Sequence, residues 1–154
     1  MRIRIGNIND LNELQQLFVE TVKCVCKADY NDVQLDIWTS GIENKQRWQD
    51  ILTNQFVVVA QNKDKITGFC TLNKGNHLDL LYVHRDFQRQ GIALKLYLDI
   101  EKEARLQGQN ELTSDVSKTA RPFFEKMGFE IITEQTVDVK GVKLTNFKMS
   151  KKIV

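Results

Sequence analysis

The residues best placed to do chemistry lie between positions 77 and 94. His77-Leu-Asp-Leu-Leu-Tyr-Val83 is an apolar run that opens on two titratable side chains, His77 and Asp79. A short polar stretch then leads into Gln88-Arg89-Gln90-Gly91-Ile92-Ala93-Leu94, the start of an amphipathic segment. Small residues at 91 and 93 let the backbone approach a ligand closely. A helix starting there offers unpaired N–H groups and the positive end of its dipole. The combination makes a seat for a phosphate or pyrophosphate, or else a plain turn, since glycine is common where a strand meets a helix. Arg85 and Arg89 flank it, as anion partners or as solvated turn residues. His77 and Asp79 alternate onto one face of a strand. Histidine titrates near neutrality and suits proton removal. The structural alternative is an exposed histidine after Gly75-Asn76 and an aspartate paired with a nearby Lys or Arg.

Downstream, Ser117-Lys-Thr-Ala120-Arg-Pro-Phe-Phe-Glu-Lys-Met-Gly-Phe129 reads as a short helix followed by a strand. Ala120, Phe123, Phe124 and Met127 recur at three- and four-residue steps and fall on one face. Gly128 stands where a helix C-terminus wants a left-handed residue. Phe123 and Met127 read as core.

Together these segments resemble the GNAT N-acetyltransferase family. The resemblance is carried by Val83, five residues before Gln88-Arg-Gln-Gly-Ile-Ala93, and by Ser117-x-x-Ala120-x-x-Phe-Phe-x-x-x-Gly-Phe129 after one helix and one strand. It implies acetyl-CoA as acyl donor, with no metal, and a small-molecule amine as acceptor. It implies an α/β fold with a mixed, mostly antiparallel sheet whose central strands, here 77–83 and 110–114, splay apart around the cofactor. On that pattern the main chain of Leu81, Tyr82 and Val83 holds the pantetheine arm like an added strand. Gln88, Arg89, Gln90, Gly91, Ile92, Ala93 and Leu94 hold the pyrophosphate, and Ser117 and Phe124 complete the cofactor site. The N–H of Leu81, where the family's strand usually bulges, is expected to hold the carbonyl oxygen. His77 and Asp79 match positions where the family often places a base. Two residues depart from the pattern. Phe124 stands where many members have a tyrosine that protonates the leaving thiolate; Tyr82 and Tyr97 are the nearest substitutes in sequence, and both read as packing residues. Ser117 stands for a frequent asparagine, and bonds the pantetheine or caps its own helix.

The resulting expectation is an acetyl-CoA-dependent N-acetyltransferase that moves an acetyl group to a primary amine by direct attack in a ternary complex. Acetylation of a protein or aminoacyl amine is an alternative acceptor. A sensor that binds acetyl-CoA without turnover is a second reading, kept open by Phe124. A nucleotide-binding protein of another fold is disfavoured by the final hairpin and by the lack of Gly-Lys-Ser/Thr after the turn.

The rest of the chain must position these residues. Its 154 residues suit one domain, 1–154, with a real core. Hydrophobic residues at 42% and charged residues at 27% are ordinary for a soluble protein, and a formal charge of +2 does not mark a nucleic-acid binder. No apolar run approaches the roughly 20 residues that span a bilayer, and Met-Arg-Ile-Arg-Ile lacks the apolar segment of a signal peptide. A cytoplasmic monomer or homodimer with no membrane partner is expected. Cys24, Cys26 and Cys70 have no zinc or redox spacing and read as reduced thiols.

Arg2 to Ile8 reads as the first strand. Asp10-Leu-Asn-Glu13 reads as a capping box opening a helix with Leu11, Leu14, Leu17, Phe18 and Val22 on its buried stripe. Helical pieces follow at Asn31 to Trp38 and Glu43 to Leu52. Gln55 to Gln61 and Ile66 to Leu72 form a hairpin, and His77 to Val83 the next strand. A helix from Gly91 to about Gln107 turns Ala93, Leu96, Tyr97, Ile100 and Ala104 inward. Glu111 to Ser114 is a strand, and Glu130 to Val139 pairs with Val142 to Met149. Acceptor recognition falls to the helical region from Tyr30 to Trp48 and the loop of the last hairpin, at Lys140-Gly141. Tyr30, Trp38 and Trp48 are candidate pocket walls; Gln34, Asp36 and Glu43 are candidate attractors of a cation.

Overall fold

Val57 and Val59 leave their strand on one side, Val58 and Ala60 on the other, and that alternation divides the protein into two layers. The computed structural model describes residues 1–154. Its strands are β1 (Arg2–Ile5), β2 (Phe56–Asn62), β3 (Lys65–Asn73), β4 (His77–Val83), β5 (Glu111–Ser117), β6 (Glu130–Val139) and β7 (Val142–Lys152). Its helices are α1 (Leu11–Val25), α2 (Asp32–Thr39), α3 (Lys45–Asn54), α4 (Ile92–Leu106) and α5 (Arg121–Lys126). The sheet runs β1-β2-β3-β4-β5-β7-β6. Every neighbouring pair is antiparallel except β4 and β5. One core lies beneath α4 and α5 and includes Leu96, Tyr97, Ile100 and Phe124. The other lies beneath α1–α3 and includes Leu14, Phe18, Trp48 and Phe69.

The parallel pair forms the site. β4 and β5 pair only at His77 with Thr113 and Leu78 with Ser114. Beyond that the two strands diverge, leaving residues 79–83 and 115–117 on the two sides of a V. The expected splay of 77–83 from 110–114 is therefore present, with β5 running on to Ser117. Ser117 ends that strand instead of heading the helix. Its hydroxyl accepts the Ala120 N–H at 3.1 Å and so turns the chain toward α5.

Three local expectations are corrected. The first strand stops at Ile5, and Ile8 opens a 3-10 turn capped by Asn7. The capping box lies at Asn7 and Asp10, not at Asp10 and Glu13, because Glu13 instead accepts the Ile66 N–H at 2.7 Å. The bulge of β4 lies at Asp79, not at Leu81. Thr71 faces Leu80 and Leu72 faces Leu78, so Asp79 has no partner in β3. That extra residue reverses the parity of the strand. Leu78, Leu81 and Val83 face α4, while Leu80 and Tyr82 face α1.

Asp10 also anchors β1. Its carboxylate takes two bonds from the Arg4 guanidinium, at 2.8 and 2.9 Å. Those bonds hold its pKa below the usual carboxylate range, against the opposing pull of burial. Its stabilising contribution is present above the unfolded-state pKa and is lost as pH falls through the lower folded-state value. Asp10→Asn is expected to cost about 1 kcal/mol near pH 7, a figure reduced for partial exposure. Urea unfolding at pH 7 and pH 3 checks this: the difference between the two proteins should shrink at the lower pH.

Candidate active site

The V between β4 and β5 opens into a cavity of about 1060 Å³. Its walls are set by the hydrogen-bonding parity of β4. The His84 N–H bonds to the Thr67 carbonyl at 2.7 Å, and the Leu80 N–H to the Thr71 hydroxyl at 3.1 Å. Both point toward β3. Alternation turns the N–H groups of Leu81 and Val83 the other way, into the V, where β5 has already departed. Buried backbone donors without partners are costly, so this edge calls for a ligand with amide-like acceptors.

The turn after β4 supplies the second feature. Arg89 and Gly91 both have left-handed backbones, at φ 60° and 78°. Alternating turn conformations of this kind gather successive N–H groups into an anion-binding hollow. Gly91 caps α4 without any side-chain bond, and no acidic residue stands in the first turn of that helix. The N–H groups of Ile92, Ala93 and Leu94 are thereby left to a ligand. The Gln88 side chain faces back, donating to the Val83 carbonyl, and so fixes the turn against the strand. Gln90 does not line the cavity, although Gln88, Arg89, Gly91 and Leu94 do.

Beyond the V, Ser117 and the buried Phe124 line the cavity. The Phe124 ring is held edge-on by Phe129 at 5.0 Å and Phe123 at 5.8 Å. Tyr97 lies outside the cavity, its hydroxyl donating to Glu101 at 2.6 Å and accepting from Lys151 at 3.0 Å. Tyr82 lines the cavity with its ring against Phe18 at 5.0 Å, and burial pushes its pKa up.

The two candidate bases go separate ways. Asp79 lines the cavity, but both carboxylate oxygens are engaged, by Arg47 at 3.0 Å and Gln55 at 2.8 Å. His77 does not line the cavity. Its Nδ1 meets the Thr113 hydroxyl at 2.8 Å and its Nε2 lies 3.7 Å from Asp115, which does line it. The bulge at Asp79 explains the divergence: it sends Asp79 toward α3 while His77 stays on the paired part of β4. Of the other candidates, Tyr30 and Trp38 line the cavity, whereas Trp48 is buried against Phe18. Asp36 pairs outward with Lys23 at 3.3 Å, and Gln34 ties α2 to the Lys143 carbonyl at 3.0 Å; neither lines the cavity, and nor does Glu43.

The far end of the V is closed by Tyr30. Its hydroxyl donates to the Thr145 carbonyl at 2.7 Å and accepts the Lys118 N–H at 3.0 Å. One side chain so links the loop after α1, the end of β5 and strand β7.

An acetyltransferase (GNAT) domain model matches residues 26–151. The chain belongs to the GNAT acetyltransferase family. It is 31% identical over 152 residues to the uncharacterised N-acetyltransferase YafP of Escherichia coli (strain K12), covering 99% of this chain and 96% of that one. The crystal structure of a GCN5-related N-acetyltransferase from Rhodopseudomonas palustris matches with a TM-score of 0.94 at 28% identity, over 98% of this chain and 94% of that one. PaiA N-acetyltransferase of Thermoplasma acidophilum, solved with coenzyme A, matches with a TM-score of 0.79 at 22% identity over 99% of each chain, a likeness of fold.

In this GNAT member the sequence reading missed Asp115, Thr145 and Asn146, all of which line the cavity. Asp115 shares the α1-side face of its strand with Thr113 and Ser117. The alternation of 111–117 carries that signal only along a strand that runs past Ser114 to Ser117. Asn146 carried no signal, because its position depends on which β7 residues pair with β5.

Proposed function

We propose that the whole chain, residues 1–154, is one acetyltransferase domain that moves an acetyl group from acetyl-CoA to the primary amine of a small molecule, both bound together. The observation that carries this is the V of β4 and β5, with the N–H groups of Leu81 and Val83 facing an otherwise unpartnered gap. The residues present suit the cofactor. Leu81, Tyr82 and Val83 present main-chain groups along the pantetheine path, and the hollow from Gln88 to Leu94 suits a pyrophosphate. Gln90 contributes main-chain geometry only. Ser117 and Phe124 flank the sulfur end. When bound, acetyl-CoA supplies the acyl group: the amine nitrogen bonds to the carbonyl carbon, the C–S bond breaks, and the sulfur leaves as a thiolate that takes up, through solvent, the second proton released by the nitrogen, giving CoA thiol.

The chain's own residues orient and neutralise. The Leu81 N–H is the donor for the carbonyl oxygen. An alkyl ammonium near pKa 10 must lose a proton before it attacks. Asp115 receives the amine at the cavity wall and His77 behind it takes up the proton. Asp79 is paired with Arg47 and bonded by Gln55, so both of its carboxylate oxygens are already engaged. The Tyr30 closure favours a small acceptor over a protein segment. A cytoplasmic location belongs to this reading and is supported by three free cysteines and by the lack of any helix long and apolar enough to cross a membrane.

Release of free thiol from acetyl-CoA with a panel of primary amines tests the proposal. Amine-dependent thiol release with an acetylated product is expected; binding of acetyl-CoA with no turnover for any amine would favour the sensor reading, for which Phe124 is the supporting feature. Phe124→Tyr sharpens the distinction. A thiol of pKa about 8.5 leaves as a fair anion without an acid, so turnover is expected to stay within about threefold of the parent. A rise approaching 10²-fold, the lower end for a general acid, would show that protonation of the sulfur limits the rate.

A further inference from the structure

We infer that the acceptor is a monocationic primary amine on an aromatic or branched apolar body, and not a polyamine or another polycation. The inference rests on the acetyltransferase reading and concerns the α1 side of the same cavity.

Three aromatic rings set that side. Tyr30 and Trp38 meet edge-on at 5.3 Å, and Tyr82 lines the same cavity. Val137 and Leu144 extend the apolar lining across β6 and β7. Two of the rings are held from behind: Tyr30 by its two backbone bonds, Tyr82 by Phe18 and Phe69. Rigid aromatic surface contributes binding through buried area and edge contacts, and it discriminates poorly between polar chains.

Charge on that side is sparse. Two carboxylates line the cavity, Asp79 and Asp115. Arg47 neutralises Asp79 at 3.0 Å. Lys118 stands over the Tyr30 ring at 5.4 Å, adding a cation at the rim. Asp115 pairs with no Lys or Arg; its Oδ1 accepts from Gln135 at 2.8 Å and its Oδ2 lies 3.7 Å from His77, so with Lys118 at the rim the wall offers one carboxylate free of a Lys or Arg and no surplus of negative charge. A polycation entering an apolar enclosure would leave its further ammonium groups desolvated and unpaired, which is costly.

An orphan acceptor lies near that carboxylate. The Asn146 side-chain oxygen is buried with no hydrogen-bond partner. Asn146 lines the cavity and faces Ser117 across the β5–β7 pair, on the face that also carries Asp115. An amide presents either end after a half-turn. Turning that amide brings its oxygen to the cavity side, where a primary amine is held between Asn146 and Asp115.

The test compares 2-phenylethylamine, spermidine and phenylalanine as acceptors at saturating acetyl-CoA, with calorimetry of acetyl-CoA run alongside. The expected result is a kcat/KM for 2-phenylethylamine at least tenfold above that for either other probe. Trp38→Ala should raise KM for 2-phenylethylamine about tenfold and leave acetyl-CoA affinity unchanged. Val137→Asp, at an exposed strand position that tolerates the change, should narrow the preference for 2-phenylethylamine over spermidine. Equal or better use of spermidine would overturn the inference in favour of a polycation. Better use of phenylalanine would overturn it in favour of a site that reads a carboxylate. An unchanged KM in Trp38→Ala, or an unchanged preference in Val137→Asp, would show that these walls do not touch the acceptor. Failure of 2-phenylethylamine as a substrate while acetyl-CoA still binds overturns the acceptor class alone; failure of acetyl-CoA to bind overturns the underlying reading.

Discussion

Replacing Gly91 with valine is expected to weaken acetyl-CoA binding by tenfold or more while the protein stays folded. Gly91 holds φ at 78°, and a Cβ added there meets no protein atom within 4 Å. The fold therefore has room for the side chain. The backbone does not tolerate it: a left-handed conformation costs a residue other than glycine about 1–3 kcal/mol. A β-branched residue relieves that strain by turning the peptide, which disperses the N–H groups at the start of α4. A loss of about 1.4 kcal/mol is one factor of ten in Kd. The Cβ also projects into open space beside the hollow, where the pyrophosphate would approach. Calorimetry with acetyl-CoA reads the affinity and a thermal melt reads the fold. Unchanged affinity in a folded Gly91→Val protein would remove the turn from the cofactor site.

His77→Ala is expected to lower kcat by about 10²-fold, the lower end of what a positioned base contributes. The histidine stands behind Asp115, its Nε2 3.7 Å from that carboxylate and its Nδ1 held by the Thr113 hydroxyl. Acetyl-CoA affinity should be unaffected, because His77 lies on the paired part of β4, away from the turn. The acidic limb of the pH–rate profile should move or flatten in the variant. Asp79→Asn should leave that limb in place, since its carboxylate is committed to Arg47 and Gln55. The reverse pattern, with kcat lost in Asp79→Asn and retained in His77→Ala, would assign proton removal to Asp79.

These two positions also show where sequence reasoning stops. The order of elements and the Gly91 turn were legible because each rests on local chemistry: apolar periodicity, capping and a required left-handed glycine. The splay of β4 from β5 was legible only through the family resemblance, since no residue of either strand announces it. The bulge was misplaced because Leu80-Leu81-Tyr82-Val83 is apolar at every position, so its alternation cannot reveal a change of parity. That parity decides where Asp79 points. His77 and Asp79 share the spacing of a catalytic pair, yet one extra residue in the ladder against β3 sends them to different partners. Asp115 and Asn146 come from strands distant in sequence and meet the cavity only through the β5–β7 register. The capping box was displaced for a similar reason: Glu13 had a better partner in the Ile66 N–H, fifty-three residues away.

The most direct test is a crystal structure of the protein with coenzyme A. The account predicts the pantetheine arm lying in the V, its amides bonded to the main chain of Leu81 and Val83. The pyrophosphate should rest on the N–H groups from Arg89 to Leu94, and the sulfur should lie beside the Phe124 ring, open toward Asp115. Coenzyme A bound outside the V, with the Val83 N–H left unpartnered, would contradict it.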